Sequence, residues 1–180
     1  MQYFSKYPFI EQDKNAKSLS FFCKKDIVAL NRDAIEELKR AASSGGADVR
    51  ISMHPSPESD LHNMIILQHK ETYVRPHKHL TKTETYQLIE GEHLVVVFDE
   101  QGIVIDSCNM SLEDNFLYRF EKNQFHMSIP ISDFVIFHES KIGPFIREGD
   151  SVFADWAPIT EDVEEVRKFT SKLIESESTL

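Results

Sequence analysis

Three polar residues near the middle of the chain, His77, His79 and Glu84, have the types and spacing of a metal site. On an extended strand side chains alternate, so residues i and i+2 share a face, about 7 Å apart along the chain. Two imidazoles so placed can converge on one ion, and a carboxylate a few residues on adds an oxygen donor. That mixture suits a first-row divalent ion: iron, manganese, nickel or zinc. The same three residues also suit a solvated edge strand, and the strand geometry leaves both readings open.

Other side chains could complete a pocket. Tyr86 follows Glu84 by two residues and shares its face, where it either lines a cavity or packs as plain aromatic core. Arg75 precedes His77 by two and offers a planar fork for a carboxylate or phosphate, unless Pro76 bends the chain. Tyr73 and Tyr118 are further candidates. Glu139 and Lys141 share a face, and such a pair is either an exposed salt bridge or a buried one that must be mutually bonded. His138, adjacent to Glu139, faces the other way. The remaining histidines fit ordinary roles: His54 and His62 in loop hydrogen bonds, His69 in a solvated turn, His93 as a satisfied core or rim imidazole.

The elements that must position these residues are mostly strands. Met64–Gln68, Thr85–Ile89, His93–Phe98, Ile103–Asp106, Phe116–Phe120, His126–Ile129 and Phe134–His138 all read as short strands separated by turns. Asp99-Glu100-Gln101-Gly102 is a hairpin turn, and Gly91 closes another. Many short strands at close spacing predict an antiparallel sandwich or barrel. A helix is expected over 31–43, capped by Asn31, with Ala34, Ile35, Leu38, Ala41 and Ala42 at helical spacing and Gly45-Gly46 ending it. Lys24–Leu30 before it reads as ending in a short strand. A second helix is expected over 160–175, capped by Thr160, with a fraying tail to Leu180. The chain divides into an N-terminal extension and helix (1–47), a barrel (48–158) and a C-terminal helix and tail (159–180), all one structural domain.

Composition sets the outer limits. The 180 residues carry 20 Lys+Arg against 30 Asp+Glu, a formal charge of −10, which argues against nucleic acid because duplex affinity comes from basic contacts. Thirteen Phe and five Tyr suit sheets. Cys23 and Cys108 form no C-x-x-C pair and, as free thiols, fit a reducing cytoplasm. No apolar run approaches a membrane span, and the N-terminus lacks a signal-peptide core. The apolar residues of 1–30, among them Tyr3, Phe4, Tyr7, Phe9, Ile10, Phe21 and Phe22, suggest a homodimer contact, the alternative being that they pack on the chain's own barrel.

The spacing His77-x-His79-x4-Glu84-x6-Gly91 resembles the first signature motif of the cupin superfamily. The second motif ordinarily reads Pro-x-Gly-x2-His-x3-Asn; here Glu121 replaces the proline, Asn123 the glycine and Pro130 the final asparagine. The resemblance implies a double-stranded antiparallel β-helix, a jelly-roll barrel, with His126 as the fourth ligand beside His77, His79 and Glu84 to one divalent ion. Arg75-Pro76-His77-Lys78-His79, Lys82, Phe137-x-Glu139-x-Lys141-x-Gly143-Pro144 and Phe153-Ala154-x-Trp156-Ala157-Pro158 are similar to the WbuC-type cupin metalloproteins, which are often associated with bacterial surface-polysaccharide gene clusters. That likeness implies that Glu139 and Lys141, with Arg75 and Tyr86, line a ligand pocket beside the metal. A small oxygen-rich metabolite such as a sugar or sugar acid is the expected ligand. Three functions compete on this fold: metal-assisted turnover including an iron dioxygenase, metal-dependent sugar binding without turnover, and metal-free sugar isomerisation. The full ligand set counts against the last.

Overall fold

The computed structural model describes residues 3–146 and 148–177. Strands β1 (Ile10–Gln12) and β2 (Leu19–Cys23) precede helix α1 (Arg32–Gly45). Then follow β3 (Val49–Ser52), β4 (Leu61–His69), β5 (His77–Lys78), β6 (Glu84–Glu90), β7 (His93–Phe98), β8 (Val104–Met110), β9 (Leu117–Phe120), β10 (Phe125–Pro130), β11 (Phe134–Ile142), β12 (Val152–Phe153) and helix α2 (Val163–Glu177). They form a seven-stranded sheet, β1-β2-β3-β4-β11-β6-β9, and a five-stranded sheet, β12-β5-β10-β7-β8. Among the described residues every pairing between these strands is antiparallel except β2 with β3. This is the expected jelly-roll architecture.

Period-2 alternation sorts the side chains into layers. Tyr86, Leu88, Val95, Val97, Phe120, Val135 and Phe137 fill the space between the sheets. The other face of β7 and β10 presents Leu94, Val96, Phe98, Met127 and Ile129 to Trp156 and to Phe169, Leu173 and Ile174 of α2. The outer face of the large sheet presents Ile51, Leu67 and Ile136 to Ile35, Leu38 and Ala41 of α1. Asn31 caps α1 by accepting from the Ala34 amide at 3.2 Å, and Gly46 ends it at φ 58°.

Several boundaries differ from the sequence reading. Lys24–Leu30 is not a strand; Leu19–Cys23 is, pairing parallel to β3 while Ile27 stands in solvent. The cap of α2 is Asp162 rather than Thr160: its carboxylate accepts from the Glu165 amide at 3.1 Å. The helix reaches Glu177, whose carboxylate accepts from Ser107 Oγ at 2.5 Å; Ser178–Leu180 of the expected tail lie outside the described residues. The Gly91 turn closes no hairpin, because β6 and β7 belong to different sheets. It is a corner at φ 90°, where a Cβ would stand 2.6 Å from the Phe134 carbonyl oxygen. Asp99–Gly102 does join a true hairpin, β7 to β8. Phe4, Ile10 and Phe21, on which the dimer expectation partly rested, are buried against the chain's own α1 and β3. Cys23 and Cys108 are buried free thiols, and among the described residues no helix is long and apolar enough to cross a membrane.

Candidate metal centre

The short strand β5 lies between β10 and β12, which puts His77 directly opposite His126 on one side and Phe153 on the other. His79 follows just past the strand end. Its carbonyl accepts from the Asn123 amide at 2.7 Å, and Asn123 adopts φ 63°, the left-handed turn that glycine would otherwise supply. Glu84 opens β6 in the facing sheet, so its carboxylate meets the histidines across the space between the layers.

Each imidazole is oriented through Nδ1. His77 Nδ1 bonds the Arg75 carbonyl at 3.0 Å, His126 Nδ1 the Gln124 carbonyl at 2.9 Å, and His79 Nδ1 the Asp150 carbonyl at 2.5 Å. A carbonyl only accepts, so each Nδ1 carries the proton and each Nε2 turns inward with its lone pair. The ligand atoms of the three rings lie within 4.8 Å of one another. His79 Nε2 stands 2.9 Å from Glu84 Oε1 and His126 Nε2 3.2 Å from Oε2. Neither short contact has hydrogen-bond geometry: both Nε2 atoms and Oε1 are buried and unbonded. Lone pairs gathered around a carboxylate with no well-placed proton between them are what a cation satisfies. The donor set therefore fits a divalent transition metal.

Tyr86, Glu139 and Lys141 join this cluster. Tyr86 donates to Glu84 Oε2 at 3.2 Å, while Lys141 Nζ lies 3.2 Å from Glu84 Oε1 and 2.9 Å from Glu139 Oε1. The β6–β11 register makes the grouping, pairing Glu84 with Lys141 and Tyr86 with Glu139. Arg75 is apart from it. Its Nη2 donates to the Ala154 carbonyl at 2.6 Å and its guanidinium stacks over Phe153, so its backbone carbonyl, not its side chain, meets His77. The segment before β5 is not extended strand, and the alternation that would have aimed Arg75 inward starts only at His77.

Burial and charge compete at every group. Burial, then repulsion from His126 and His79, pushes His77 down to about 3. Burial alone would raise Glu84, but Lys141, His126 and His79 together hold it well below the usual carboxylate range. Burial pulls His79 down, yet the adjoining Glu84 outweighs it and the net direction is up. Lys141 is likewise pulled down by burial and carried above its ordinary value by Glu139 and Glu84.

The other histidines divide in ways the chain pattern did not reveal. His54 and His62 are buried and stacked at 4.1 Å, with His62 Nε2 bonding the Pro57 carbonyl at 3.1 Å. His69 is half-buried rather than solvated, because β4 runs on through it. His93 points between the sheets against Tyr86 and Phe137, and neither ring nitrogen has a partner, contrary to the expected satisfied imidazole. His138 bonds Asn63 Oδ1 at 3.0 Å on the outer face, where an open cleft of about 560 Å³ is lined by His54, Asn63 and His138 but gathers no comparable ligand set. Tyr73 and Tyr118 bond the Pro158 carbonyl and the Asp106 carboxylate, and neither bonds Glu84. Nothing local in the sequence marks Asp150, a loop aspartate, as the partner of the distant His79.

Residues 30–110 match the family described as "Domain of unknown function (DUF6016)". No curated protein matches the chain. Among solved structures, the capsular polysaccharide assembling protein CapF from Staphylococcus aureus matches with a TM-score of 0.50 at 13% identity, over 58% of this chain and 28% of its own. L-ribose isomerase of Cellulomonas parahominis, solved with L-ribose, gives 0.48 at 14% identity, over 62% of this chain and 71% of its own. KdgF from Halomonas sp. gives 0.43 at 14% identity, over 56% and 81%. This chain thus spans under a third of CapF, and the likeness at such identities speaks to fold alone. With two facing sheets and histidines from β5 and β10 meeting a carboxylate from β6, the fold is that of the cupins.

Proposed function

We propose that this chain is a metal-binding cupin in which His77, His79, Glu84 and His126 hold one divalent ion beside a pocket for a small oxygen-rich metabolite, a sugar or sugar acid. One observation carries the reading: three imidazoles with Nδ1 committed to backbone carbonyls bring their ligand atoms within 4.8 Å of one another, and two of them, His79 and His126, stand against one buried carboxylate. A bound divalent ion supplies Lewis acidity toward a carbonyl or hydroxyl oxygen. The surrounding side chains set what approaches it. Lys141 keeps its proton and offers N–H donors, and Tyr86 keeps its own, raised by burial and by the Glu84 and Glu139 charges. Glu84 and Glu139 oppose a single charge on Lys141, so a divalent ion leaves the pocket net positive and favours an anionic oxygen ligand. The WbuC-type residues quoted above support surface-polysaccharide metabolism as the setting.

The test is elemental analysis of protein purified without a nickel column, followed by sugar-acid screening with and without the metal found. One equivalent of a first-row metal and metal-dependent binding are expected. Iron with oxygen consumption on a ligand would assign a dioxygenase; zinc or nickel with binding and no turnover would assign a binding module. Protein that takes up no divalent metal, natively or on titration, refutes the proposal.

A further inference from the structure

The three imidazoles are not held alike. His77 and His126 bond carbonyls two residues back along their own segments, Arg75 and Gln124, so their orientation is local. His79 lies beyond the end of β5, and its Nδ1 depends on Asp150, which arrives on the connection between β11 and β12. That connection needs an anchor, and Lys82 supplies one at both ends. Its Nζ donates to the Pro144 carbonyl at 2.7 Å and ion-pairs with Asp150 Oδ1. Lys82 and Asp150 are 7% and 8% exposed, so neither charge has much water as an alternative partner. The second oxygen, Asp150 Oδ2, stands 3.6 Å from His79 Nδ1. Lys82 itself sits in the turn between His79 and Glu84, so one ammonium ties the connection to the segment that carries both groups.

We propose that Lys82 and Asp150 are positioning residues for the metal centre: the buried pair fixes the carbonyl that holds His79 in its Nδ1–H tautomer with Nε2 turned to Glu84. The proposal rests on the metal-centre reading for its consequence, but its structural content concerns His79 alone. Free of the clamp, the connection can move, His79 loses its acceptor, and its ring is released to rotate or to exchange tautomers. Partners of this kind typically change metal affinity by about 10–100-fold.

The experiment pairs nitrogen-15 NMR of the histidine rings in metal-free protein, at mildly alkaline pH, with cobalt titration against a chromophoric chelator. In the unmodified chain His79 should show a single tautomer protonated at Nδ1; a proton on Nε2, or an average of the two, overturns the proposal without any variant. The double variant Lys82→Met with Asp150→Asn removes the pair without stranding a charge. It should average the His79 tautomers, leave His77 and His126 unchanged and weaken cobalt binding about 10–100-fold, whereas Lys82→Arg should stay within a few-fold of the unmodified chain. A folded double variant with unaltered His79 resonances and unaltered cobalt affinity also overturns the proposal. Failure of the unmodified chain to take up cobalt sinks the metal-centre reading instead, and the His79 tautomer still decides the positioning claim.

Discussion

Replacing His93 with leucine should stabilise the protein, and by more in acid than at neutral pH. The ring is 1% exposed, lies against Tyr86 and Phe137, and has both nitrogens unbonded. A buried donor or acceptor left unmade costs about 1–3 kcal/mol, and leucine removes one of each at similar volume. Imperfect repacking takes back about 1 kcal/mol, so a net gain of about 1–5 kcal/mol is expected at pH about 7.5. Acid adds a second contribution. Burial pushes His93 from its ordinary 6.5 down to about 3, so between those values the unfolded chain binds a proton that the folded chain refuses. Stability tied to this group is therefore full above 6.5 and is lost steadily as pH falls toward 3. At about 1.4 kcal/mol per unit, moving to pH about 5 costs the unmodified protein roughly 2 kcal/mol that the leucine variant does not lose. His54 and His77 are depressed as well, to about 4 and about 3, but they remain in both proteins and cancel in the difference. Urea unfolding of chelator-treated protein at the two pH values measures it, provided the m-values agree. A difference that does not change with pH refutes the titration argument. A variant less stable at both pH values refutes the expected gain from removing the unbonded ring nitrogens.

His126→Ala should leave the circular dichroism of the sheets intact and drop the metal-to-protein ratio, read by mass spectrometry, to about a tenth or less, since it removes one of three imidazoles and leaves a site short of four protein ligands; full occupancy contradicts the ligand assignment. Lys141→Met strips the counter-charge from Glu84 and Glu139 and should cost about 3–5 kcal/mol at neutral pH by urea unfolding, with part of the loss recovered on adding zinc. Because Glu84 is held below the usual carboxylate range, its stabilisation is present above that range and is lost as pH falls through its folded value, and the variant should show less of that loss. Gly102→Ala places a Cβ 2.7 Å from Trp156 Cδ2 at φ 85°, so it should lower stability by about 1 kcal/mol or more and alter tryptophan fluorescence; unchanged emission contradicts the contact.

What the sequence disclosed depends on how local the signal was. The α1 cap at Asn31, its stop at Gly46 and the Asp99–Gly102 hairpin are set within a few residues, and they were legible. So was the alternation that put Glu84 and Tyr86 on one face of β6. Pairing partners far along the chain were not. The parallel match of β2 to β3 depends on α1 carrying the chain back, and nothing within Leu19–Cys23 states it. The two-residue β5 is too short for any period, and its identity as a strand comes from β10 and β12 on either side. Arg75 shows the same limit from the other direction, because alternation was extended across Pro76 to residues that are not strand. The spaced motif pointed to the histidines; Lys82 and Asp150 come together only in three dimensions.

The placement of β5 also bears on how such a protein is made. A ribosome delivers the chain N-terminus first, at about 5–20 residues per second. When His77, His79 and Glu84 emerge, neither His126 nor the carbonyl of Asp150 has been synthesised, and Phe153, which flanks β5, comes later still. The growing polypeptide therefore offers only a loose, unoriented pair of imidazoles to surrounding ions. Any ion the centre takes is acquired only after His126, Asp150 and Phe153 have followed, so its identity is decided by what is available at that later moment rather than when the first histidines appear.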